Sequence, residues 1–116
     1  MAARLPGRYD LSVPANRVKL DAAEVLAQLA DEAAMTLIHM AIAFVLRHPA
    51  VTSAIIGPRT AEHLASQLGA ADVELSDAVL DRIDAIVGPG TNFSWADAGY
   101  TPPGVADASR RRRPVA

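Results

Sequence analysis

Ile55-Ile-Gly-Pro-Arg-Thr60 is the stretch of this 116-residue chain whose residue types and spacing point to chemistry. It reads as the end of a strand, a Gly57-Pro58 turn, a guanidinium at Arg59 and a helix start capped by Thr60. The first backbone N–H groups of a helix have no intrahelical acceptor and lie at the positive end of the helix dipole, so an anion docks there readily. Gly57 lets a ligand approach the backbone, and Arg59 adds a fork of donors suited to phosphate. On the helix that follows, Ala61, Leu64, Ala65 and Leu68 form a packing stripe, while His63, Ser66 and Gln67 continue the polar side that Arg59 begins. Such a row could line the phosphate and adenosine of a nucleotide. The spacing alone favours the solvated face of an ordinary amphipathic helix.

Other reactive residues are scattered. His39 lies inside an apolar stretch, and His48 precedes Pro49 at its end, where the negative helix terminus suits it; neither has ligand-like spacing, so no metal site is expected. The chain has no Cys, which excludes thiol catalysis, zinc-thiolate sites and a disulfide framework.

These side chains must be positioned by a small domain. Hydrophobic residues make up 51% of the chain, too many for a disordered one. No apolar run approaches the roughly 20 residues of a membrane-spanning helix, and the N-terminus lacks the apolar region of a signal peptide. The expectation is a cytoplasmic chain that does not engage a membrane. The net charge of −2 conceals an asymmetry, because Arg110 to Arg113 supply four of the 11 basic residues and leave residues 1–109 at −6. An acidic body is a poor footprint for nucleic acid, which is not expected as a partner, and the Arg run reads as a solvated tail.

Residues 1–16 read as a lead-in loop, with Asn16 as N-cap of an amphipathic helix running from Val18 to Ala33. A second helix starts at Thr36, ends before Pro49 and is apolar almost all round, so it expects neighbours on several sides. Val51–Ile56 has the profile of a buried strand. Thr60 caps the third helix. Ser76-Asp77 opens a fourth whose stripe is Val79, Leu80, Ile83, Ile86 and Val87, stopped by Gly88-Pro-Gly90. Residues 17–88 thus form one segment, ordered helix, helix, strand, helix, helix, and 89–116 an extended tail with Trp95 and Tyr100 as anchors. A lone strand is physically awkward, since each buried backbone group without a partner costs roughly a few kcal/mol. The pattern is mostly α with a single short strand, and incomplete on its own.

The stretch from Ala41 to Ala71, with His-Pro-Ala-Val-Thr-Ser followed by Ile-Ile-Gly-Pro-Arg-Thr and then a Leu and an amide on the next helix, resembles the C-terminal segment of aldo-keto reductases. Val73–Asp84 resembles that family's following helix, and the likeness extends from about Gly7 to Pro102-Pro103. The resemblance implies the C-terminal portion of a (β/α)8 barrel that uses NADPH to reduce carbonyls. It implies that Arg59 contacts the 2′-phosphate, that Gly57, Pro58 and Thr60 lie in the turn around it, and that His63, Ser66 and Gln67 meet the adenosine end. These three stand where many members carry Gln, Glu and Asn. The family's catalytic Tyr, Asp, Lys and His come from earlier strands that nothing here resembles, and Tyr9, Tyr100 and Lys19 align with none of them. The expectation is therefore a C-terminal, truncated reductase segment that binds NADP(H) and is inactive alone. The alternative is a small helical interaction module that self-associates or complements a partner chain, such as one supplying the missing barrel.

Overall fold

Helix α1 spans Pro14–Glu32 and opens with proline at its first turn, where the missing N–H is no loss. The computed structural model describes residues 6–93 and 99–112. The expected lead-in is shorter than the sequence suggests: Pro6–Arg8 forms a 3-10 turn, and Val13, with no side-chain cap bond, takes the N-cap place assigned to Asn16. Asn16 is instead a buried helix residue, and its Nδ2 donates to the carbonyls of Gly7 and Asp10, both at 2.8 Å. It ties the lead-in to the helix. At the other end Ala34 N–H donates to Asp31 O and Met35 N–H to Ala30 O, the paired bonds of a Schellman motif, with Ala34 in the left-handed region at φ 55°.

Helix α2, Leu37–Leu46, is capped by Thr36, whose Oγ1 accepts from His39 N at 3.1 Å. The core lies where α1, α2 and the helix α4 (Asp77–Ile86) meet, built from Leu29, Ala30, Met40, Ala43, Leu75, Leu80 and Ile83. The stripe expected on α4 packs as expected, with Leu80 and Ile83 buried and Val79, Ile86 and Val87 partly so; Ser76 Oγ caps it through Val79 N. Helix α2 does not receive the cover its composition asks for. Met40 and Ala43 are buried, but Leu37, Ile38, Phe44 and Val45 remain exposed, each forgoing part of the roughly 1.5–3 kcal/mol that full burial of such a side chain gives.

The expected strand at Val51–Ile56 is absent, and no strand occurs among the described residues. The physical reason is the one its isolation predicts: no neighbouring strand supplies a ladder, and Ile55, expected inside, is fully exposed. Helix α3, Ala61–Leu68, follows it and buries no residue; Leu64 and Leu68 of the expected packing stripe face solvent. A 3-10 segment, Gly69–Asp72, returns the chain to the core through buried Ala70.

Beyond Gly88-Pro-Gly90 the chain is not simply an extended, solvated tail. Short helices α5 (Pro103–Ala106) and α6 (Ala108–Arg111) form, the second capped by Asp107, whose carboxyl is held below its ordinary value by hydrogen bonds from Ser109. Arg111 donates to Asp84, and Arg112 bridges Asp84 at 2.8 Å and Asp81 at 2.7 Å. The Asp81 bond raises the Arg112 pKa above its ordinary value. These two arginines, expected in solvent, are largely covered because carboxylates of α4 face them. Tyr100, expected as an anchor, is exposed; Trp95 lies outside the described residues.

Candidate functional site

The turn from Gly57 to Thr60 delivers the chain into α3 as the sequence reading requires. Thr60 takes extended backbone angles, and its Oγ1 accepts from His63 N at 3.1 Å. Thr60 O accepts from Leu64 N, which leaves the N–H groups of Ala61 and Glu62 without an intrahelical acceptor at the helix mouth. Arg59 stands just ahead of them, exposed, and among the described residues its guanidinium has no partner. A Cβ added to Gly57 would meet nothing within 4 Å, so the space beside that backbone is open. Pro58 is half-buried against the body. The first turn also carries Glu62, whose charge favours the helix dipole and opposes an incoming anion. Arg59 offsets that opposition.

Along α3, His63 and Ser66 are exposed and Gln67 is half-buried. Ser66 Oγ donates to His63 O at 2.9 Å, which fixes its hydroxyl against the helix backbone and leaves its lone pairs as acceptors. The structure thus brings Gly57, Arg59 and Thr60 together at one helix end and sets His63, Ser66 and Gln67 along the following turns. The site is cationic at its mouth and polar beyond it, chemistry suited to a phosphate joined to a heterocycle.

Sequence reasoning missed the residue that holds α3 in place. His39 Nε2 donates to the carbonyl of Ser66 at 2.6 Å, reaching from α2 into the middle of α3. A histidine on an otherwise apolar helix was the available signal. His48 is fastened in both directions rather than merely sitting at a helix terminus: Nδ1 accepts from Ala50 N at 3.1 Å, and Nε2 donates to Gly104 O at 3.2 Å, which assigns the proton to Nε2.

Away from this site, α2, α4 and the tail enclose an apolar groove of about 620 Å³ whose wall includes Leu37, Phe44, Val45, Ile83 and Val105. Arg47 lies in that wall with Nη2 at 3.4 Å from Asp77 and a buried Nε that has no partner. Lys19 Nζ donates to Arg8 O, and Tyr9 is half-exposed. Among the described residues no group of three or more His, Cys, Asp or Glu is placed to hold a metal ion. Among the described residues no single helix is long and apolar enough to cross a membrane; α1 and α2 satisfy length and composition only together, bent by 93°.

The model of the aldo/keto reductase family matches residues 3–88, while no curated protein and no solved structure does. The matched span holds α1 to α4 and the Gly57–Gln67 candidate site, and ends at residue 88, short of the Pro102-Pro103 tail to which the likeness was expected to extend. With roughly three quarters of its length inside that match, the chain belongs to the aldo/keto reductase family.

Proposed function

We propose that this chain is the C-terminal part of an NADPH-dependent reductase barrel and holds the cofactor by its 2′-phosphate and adenosine end, without the groups that reduce the carbonyl. The observation that supports this reading is the exposed Arg59 guanidinium, without a partner among the described residues, beside the two N–H groups of α3 that have no intrahelical acceptor. In it Arg59 pairs with the phosphate, Gly57, Pro58 and Thr60 shape the turn around it, and His63, Ser66 and Gln67 face the adenosine. When bound, NADPH supplies a hydride; these residues orient the far end of the cofactor and move no proton. Tyr9, Tyr100 and Lys19 take no catalytic part.

The test is a fluorescence titration of NADPH against NADH on the intact chain and on Arg59→Ala. The reading predicts a preference for NADPH on the order of tenfold or more, the scale of a charge-assisted contact, and its loss in the variant. Equal affinity for the two nucleotides would overturn it. A second reading, a helical module that covers α2 by self-association or by binding a complementing chain, is favoured by the apolar groove. The same titration separates the two, since such a module leaves NADPH unbound.

A further inference from the structure

Helix α3 carries the polar row of the site, yet none of its residues is buried, so packing alone does not fix its rotation. The Thr60 cap bonds only within the helix's own first turn. The far end is held by Ala70, fully buried in the 3-10 segment that follows. From the side it is held by His39 of α2, whose Nε2 donates to Ser66 O at 2.6 Å. His39 is the one polar side chain of Leu37–Leu46, and its backbone N–H is fixed by the Thr36 cap, so the imidazole projects from an anchored first turn. Ser66 lies in the last turn of α3, where carbonyls run out of intrahelical donors, and the ring supplies one. The ring also rests beside Gly69, its Cε1 3.5 Å from where a Cβ would stand.

We propose that His39 is a positioning residue for the cofactor: its bond to Ser66 O sets the rotation of α3 and thereby aims Ser66 and Gln67 at the adenosine. This role rests on the cofactor reading above. The carbonyl that His39 holds belongs to a member of the polar row, and Gln67 is its neighbour, so loosening the bond displaces the adenosine contacts first. Ser66 Oγ is itself tied to His63 O at 2.9 Å, so its hydroxyl follows the helix backbone rather than turning independently toward a ligand. Arg59 precedes the helix by about two turns of chain, and its approach to a phosphate depends on the Gly57–Thr60 turn rather than on the last turn of α3. Removing the bond therefore separates the two ends of the site. Contacts to the base are lost, while the grip on the 2′-phosphate stays. A histidine that only stabilised α3 would shift the melting temperature and leave the choice of base as it was.

The experiment is calorimetric titration of the full chain with adenosine 2′-phosphate and with uridine 2′-phosphate, probes that share the phosphate and ribose and differ in the base. The wild-type chain should prefer the adenosine compound on the order of fivefold or more, the scale of one hydrogen bond. His39→Leu and His39→Asn, the second polar but too short to reach Ser66, should bring the two affinities within about twofold of each other and leave that for the uridine compound unchanged. His39→Gln, whose amide nitrogen reaches about as far as Nε2, should restore the preference. Arg59→Ala should instead weaken both probes alike, which marks the phosphate end. A base preference that survives in the leucine and asparagine variants overturns the role of His39, as does one that glutamine fails to restore. So does a wild-type chain that prefers NADPH to NADH without distinguishing the bases. A wild-type chain that distinguishes neither pair overturns the cofactor reading as well. Should the leucine variant lose its helices, the asparagine and glutamine variants decide.

Discussion

Gly57 and Arg59 stand two residues apart and answer to different constraints. Arg59 supplies charge; Gly57 supplies room. An added Cβ at Gly57 meets open space, and Gly57 is not among the glycines with positive φ. Gly90 differs, with φ at 78° and the Thr101 methyl 2.7 Å from where a Cβ would stand. Gly57→Ala should therefore leave the melting temperature unchanged or slightly raised, by the few tenths to about 1 kcal/mol that a less flexible unfolded chain provides. The same variant should weaken NADPH on the order of tenfold by intruding where a phosphate approaches the backbone. A thermal melt and a nucleotide titration on one preparation check both halves, and a variant that binds like wild type would show that nothing approaches Gly57.

At the scale of elements, what is local was legible and what depends on partners was not. Thr36, Thr60 and Ser76 cap their helices through a bond three residues away, a relation contained in the sequence window itself. Asn16 has the right chemistry for a cap but is drawn to carbonyls six and nine residues back, which no local rule foresees. The strand at Val51–Ile56 was read from its β-branched content, but its existence depends on a sheet. The stripe on α3 is apolar as the spacing predicts, but it is not buried, because among the described residues no element packs over Leu64 and Leu68. Ala34 offers a test of local geometry: a non-glycine residue held left-handed at the end of α1, at a position glycine usually occupies. Ala34→Gly should stabilise the chain by about 0.5–1 kcal/mol, strain relief exceeding the entropy that glycine costs, and chemical denaturation will report it. A destabilised variant would mean that this turn carries no strain.

For the molecule as a whole, apolar content and burial disagree in a patterned way. The buried core occupies the meeting of α1, α2 and α4, while the outward sides of α2, α3 and the 52–57 segment keep large apolar groups in water. Charge was more readable than packing. An acidic body and a basic terminus meet through Asp84, Asp81, Arg111 and Arg112, a pairing that the asymmetry at −6 already contained, although the run itself looked like a solvated tail. Within the candidate site, the Gly57–Thr60 turn into α3 was legible because a helix end and its flanking residues are contiguous. The His39 fastening did not, because α2 and α3 meet only in three dimensions. In the proposed function this chain holds one end of the cofactor and ignores the other. Calorimetric titration with adenosine 2′,5′-bisphosphate, which carries the 2′-phosphate and lacks the nicotinamide, tests it most directly. An affinity within about threefold of that for NADPH is expected, since the missing half makes no contact; NADPH binding with no detectable binding of the bisphosphate would rule the proposal out.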